Sequence, residues 1–73
     1  MIFMKLNKFH RQIIDVMKDI ESKDKQYSTA DIISEYVGQS PATVEFALEE
    51  LNMMNQVAKH QIGSGSIMYV LRK

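Results

Sequence analysis

Thr29-Ala30-Asp31-Ile32-Ile33-Ser34-Glu35-Tyr36-Val37-Gly38-Gln39-Ser40-Pro41-Ala42-Thr43-Val44-Glu45-Phe46-Ala47-Leu48-Glu49-Glu50-Leu51 is the stretch that decides the fold. It reads as two helices joined by a very short turn. Ser28, just before it, is placed to cap the first helix by accepting from the Asp31 N–H. The Asp31 carboxylate reaches back, a capping box with Asp in place of Glu, and Tyr27 and Ile32 stand where a hydrophobic staple would put them. This helix runs through Ile33, Tyr36 and Val37 to Gly38, the residue that enters the left-handed conformation at least cost. Ser40 then caps a second helix, with Pro41 at the first helical position, where its missing N–H costs nothing. Val44, Ala47, Leu48, Leu51 and Met54 form one face of it, and Asn55, tolerant of the left-handed region, ends it. The expected spans are 29–37 and 41–54.

Upstream, Leu6, Phe9, Ile13, Met17 and Ile20 recur at three- and four-residue spacing, with Ile14 and Val16 widening the stripe, which predicts a helix over 7–22 capped by Asn7. The polar run 21–26 shows no period and reads as a loop. Downstream the period changes. Residues 57–62 and 66–72 read as strands, and Gly63-Ser64-Gly65 between them reverses the chain into an antiparallel hairpin. The expected layout is therefore α+β: one domain over residues 1–73, three helices followed by a C-terminal two-stranded hairpin.

That order, with a glycine turn between the second and third helices, resembles the winged helix-turn-helix superfamily of small bacterial, archaeal and phage-type transcriptional regulator domains. Ile33 and Val37 match the apolar positions of its helix-turn-helix unit, Gly38 its turn glycine, and Val44 and Ala47 the positions that hold the second helix of that unit. Ser34 stands where the family usually has alanine, and Asn55 where it commonly has glycine. Residues 63–71 look like the wing and its returning strand. The resemblance implies binding of double-stranded DNA. The third helix would lie toward the major groove, the start of the second near phosphate, and the wing against the backbone.

Composition narrows the alternatives. The 73 residues contain no cysteine, which excludes a disulfide scaffold, a thiolate zinc site and a cysteine nucleophile, and leans toward a reducing compartment. Lys5 and Lys8 precede any apolar run of signal-peptide length, and no run approaches the roughly 20 residues of a membrane span, so a soluble cytoplasmic protein is expected without membrane contact. An enzyme, a cofactor or a metal finds no support. His10 and His60 lack ligand spacing, Gly63-Ser64-Gly65 lacks the lysine and helix of a phosphate loop, and the six methionines read as packing fillers. His10 is assigned to the surface of its helix. Nine basic residues balance nine acidic ones, but unevenly. Residues 1–25 carry six basic and four acidic side chains, residues 26–58 carry five acidic and no basic ones, and residues 59–73 carry three basic and no acidic ones.

Two binding readings follow. For DNA, the candidates are Ser28 and Thr29 before the second helix, and Gln39, Ser40, Ala42, Thr43, Glu45 and Phe46 on the third. Lys59, His60, Gln61, Ser64 and Ser66 on the wing complete the set. Lys23 and Lys25 add charge nearby, although Ser28 and Ser40 also serve simply as caps. The obstacle is charge: a major-groove helix usually brings Arg, Lys, Asn or Gln to base edges, and this one brings glutamates. The alternative is a protein-interaction module without DNA binding. At 100° per residue, Ala42, Phe46, Glu49 and Met53 point away from the core, so Phe46 and Met53 would form an apolar centre rimmed by Glu45, Glu49 and Glu50. A rotated helix would instead tuck Phe46 under the wing as core. A homodimer is a further expectation. Ile2, Phe3 and Met4 would pair two subunits, add a strand to the wing or cover the first helix, although no dimerisation helix follows the wing.

Overall fold

The computed structural model describes residues 5–23 and 28–72. Helix α1 (Lys8–Ser22) starts at Asn7, whose side chain accepts the His10 N–H at 2.7 Å, while the Asn7 N–H donates to His10 Nδ1 at 3.1 Å. The two free ends of the first turn thus satisfy each other. Helix α2 (Ala30–Val37) is capped by Thr29, which accepts the Ile32 N–H at 3.2 Å. This corrects the assignment of that cap to Ser28. Ser28 is buried one residue too early, its carbonyl accepting the Tyr69 N–H at 2.8 Å. Its pairing with the returning strand draws it into the wing and leaves Thr29 to begin the helix. Gly38 ends α2 at φ +71°.

Helix α3 (Pro41–Met53) starts at Ser40, which accepts the Thr43 N–H at 3.2 Å. At its other end Asn55 adopts φ 60°. The Gln56 N–H donates to the Leu51 carbonyl at 2.9 Å and the Asn55 N–H to that of Asn52 at 3.1 Å. These are the two reverse bonds that close a helix through a left-handed residue. Strands β1 (Val57–Ile62) and β2 (Ser66–Leu71) pair antiparallel, with Val57 opposite Leu71 and Ile62 opposite Ser66. The three-residue turn between them has Gly63 and Gly65 at positive φ.

Three helices followed by an antiparallel hairpin are the α+β layout of a winged helix with a C-terminal wing, as expected, and element ends agree with the sequence reading to within a residue. The core joins Ile13, Met17 and Ile20 of α1, Ile33 of α2, and Val44, Ala47, Leu48 and Leu51 of α3 with Val57 and Tyr69 of the hairpin. Ser34, standing where the resembled superfamily usually has alanine, is buried and donates to the Asp31 carbonyl at 2.7 Å, so its hydroxyl is satisfied within its own helix. The Leu71 N–H donates to the Glu21 carboxylate at 3.0 Å, fastening the last strand to α1. Among the described residues no helix is long and apolar enough to cross a membrane. The expected roles of Ile2, Phe3, Met4, Lys25 and Tyr27 lie outside the described residues.

Candidate interaction face of the third helix

Helix α3 is apolar on two sides. Its inner side buries Val44, Ala47, Leu48 and Leu51 to 3% exposure or less, while Phe46 is 69% and Met53 72% exposed. The expected helical phase is therefore correct, and the rotation that would hide Phe46 under the wing does not occur. Phe46 and Met53 stand two turns apart, about 10 Å along the axis. A shallow cleft along this side is lined by Ala42, Glu45, Phe46, Glu49, Glu50 and Met53. A second cleft continues from it across Ala42, Phe46 and Glu50 to Thr43, Ala47 and Phe9, so the start of α1 forms the far wall.

The three glutamates at the rim are fixed differently. Glu50 Oε1 lies 2.9 Å from His10 Nε2. His10 is buried, which corrects its assignment to the helix surface. It lies three residues before Ile13 on the same stripe, and its ring closes the cap on one nitrogen and meets Glu50 with the other. Glu49 accepts from Lys59 Nζ at 3.1–3.2 Å and from the Tyr69 hydroxyl at 2.9 Å. The Lys59 bond first, then the Tyr69 bond, hold the Glu49 carboxyl below its ordinary range. Burial, then the bond to Glu49, pushes the Tyr69 hydroxyl well above its usual value. Among the described residues Glu45 makes no ion pair.

The structure gathers the sequence-derived candidates into groups. Ala42, Glu45 and Phe46 line the outer cleft with Glu49, Glu50 and Met53. Thr29, Glu45 and Ser66 meet in another cleft, beside Asp31 and Tyr69, where the start of α2, the flank of α3 and the wing converge. Gln39, Ser40 and Thr43 are exposed at the start of α3, the two hydroxyls 2.9 Å apart, and His60, Gln61 and Ser64 are exposed on the wing. Ser28 joins none of these groups: it is buried, and its hydroxyl meets no hydrogen-bond partner among the described residues. Lys59 is tied to Glu49, and Lys23 to Asp19 at 3.1 Å.

Sequence reasoning missed Phe9, His10 and Tyr69 as parts of this face. His10 carried a usable signal, the Asn7-x-x-His10 spacing of a reciprocal cap in register with Ile13 and Met17. Among the described residues no three His, Asp or Glu side chains are grouped as a metal ion would require. No family model, curated protein or solved structure matches this chain.

Proposed function

We propose that this winged helix is a protein-interaction module that acts by binding rather than catalysis, in the cytoplasm, through the outer side of α3. One observation carries the reading. Phe46 and Met53 are exposed on a helix whose inner side already fills the core, at the centre of a cleft that holds three carboxylates and, among the described residues, no lysine or arginine. An apolar centre with a charged border is the form of a protein-binding patch. The same surface handicaps DNA. Affinity for a duplex rests on cations that neutralise phosphates, and the nearest wing cation, Lys59, is held by Glu49.

A second reading, a DNA-binding transcriptional regulator, is supported by the layout, by the convergence of Thr29, Glu45 and Ser66 in one cleft, and separately by the exposed first turn of α3. There the helix N-terminus and the Ser40 and Thr43 hydroxyls suit phosphate. Titrating the chain with labelled duplexes separates the two. The interaction module gives only non-specific affinity, about 10⁻⁴ to 10⁻⁶ M and falling with salt. Sequence-selective binding far tighter than that, lost on changing Ser40, Thr43 or Lys59, would establish the regulator instead.

A further inference from the structure

We infer that the partner seated on α3 is a basic amphipathic helix of another protein. The inference rests on the interaction reading above and names the occupant. Its first support is shape. The two clefts share Ala42, Phe46 and Glu50 and run as one groove along α3, with Met53 at one end and Phe9 at the other side. From Ala42 to Met53 the helix rises about 16 Å, the length over which a docking helix presents anchors at i, i+4, i+7 and i+11. The Phe46 ring and the Met53 thioether are the apolar surfaces between which such anchors seat, methionine adapting to their shape.

Its second support is charge. Among the described residues every charged one lining the groove is acidic: Glu45, Glu49 and Glu50. Glu45 makes no ion pair among the described residues and Glu50 meets His10 through Oε1 alone, so these two carboxylates are the acceptors open to a partner, while both oxygens of Glu49 are engaged by Lys59 and Tyr69. Flanking lysines or arginines on an incoming helix would meet preorganised acceptors, with arginine able to engage a carboxylate through two parallel bonds. A second copy of this chain fits less well. A two-fold contact through the groove would set acidic rim against acidic rim. The cleft on the outward side of α1 sets Lys8 and Arg11 beside Asp15 and Asp19, a lining without net charge, so a copy docking by that cleft offers the groove no uniformly basic surface.

Two synthetic peptides of about 14 residues, long enough at about 21 Å to span the groove, test this. They share a leucine stripe at i, i+4, i+7 and i+11, one with Lys and Arg on its flanks, the other with Glu. Amide shifts of the isotope-labelled full chain report where each binds. The basic peptide is expected to perturb Ala42, Glu45, Phe46 and Met53 saturably, with affinity falling as salt rises. Phe46→Ala should weaken it about 30-fold, and the triple change Glu45→Gln, Glu49→Gln, Glu50→Gln should remove its advantage over the acidic peptide. Equal, Phe46-dependent binding of both peptides overturns the basic partner and keeps the interaction face. Absence of shifts on α3 with either peptide overturns both, whereas self-association of the free chain through Phe46 overturns the basic helix and keeps the interaction face. Contacts from residues 1–4 to Phe46 in the free chain would also overturn it, the groove then being already filled.

Discussion

Helices α1 and α3 are both built around four buried residues, yet they treat their outer sides in opposite ways. Helix α1 buries His10, Ile13, Met17 and Ile20 and turns Lys8, Arg11, Gln12, Asp15 and Lys18 outward, the ordinary one-sided helix of a small domain. Helix α3 buries Val44, Ala47, Leu48 and Leu51 and still exposes Phe46 and Met53. The difference teaches that apolar residues on one helix divide between two surroundings. The inner four hold the hairpin and the other helices together, and the outer two lie exposed, on the side where the proposed partner would seat.

The sharpest way to break that division is to truncate each side in turn. Leu48, fully buried, should cost about 2–5 kcal/mol on Leu48→Ala, read as a lower denaturant midpoint. Less is expected at His10, whose ring serves both the α1 cap and Glu50. His10→Ala should cost about 1–3 kcal/mol by the same measurement, and a cost near zero would show that the ring fastens neither. Smaller again is Tyr69→Phe, which removes one hydroxyl bond to Glu49 and should cost about 1 kcal/mol near neutral pH.

The pH dependence of these bonds has a definite sign. The Tyr69 hydroxyl titrates above its ordinary value in the folded chain, so the stability it contributes is whole below the unfolded pKa, about 10, and is lost as pH rises through the folded value. Tyr69→Phe should therefore flatten the alkaline loss seen by circular dichroism. Glu49 runs the other way. Its carboxyl titrates below its ordinary value, so its contribution is whole above the unfolded pKa, about 4.3, and is lost as pH falls through the folded one. Glu49→Gln should lose less stability than the wild type on acidification, by a small margin because the pair is largely solvated.

The fold was legible because its signals are local. Gly38, Ser40, Pro41 and Asn55 each act through their own backbone or the next turn, and the change from helical to alternating period after Asn55 marks the hairpin. The phase of α3 was legible too, since 100° per residue places Phe46 opposite Leu48 without knowledge of any neighbour. What escaped were contacts between distant residues. Ser28 is an ideal cap by type, and only its pairing with Tyr69, far along the chain, hands that task to Thr29. The bonds from His10 to Glu50 and from Lys59 and Tyr69 to Glu49 depend on how α1, α3 and the hairpin pack, which no local pattern encodes.

The smallest effect tests the central claim most directly. The double variant Phe46→Ala, Met53→Ala removes the apolar centre of the outer side while leaving every buried residue of α3 in place. Its unfolding free energy, measured beside wild type and Leu48→Ala, should lie within about 0.5 kcal/mol of wild type, the range of surface changes that touch nothing structural. A loss comparable to that of Leu48→Ala would contradict the account, because both sides of α3 would then belong to the core.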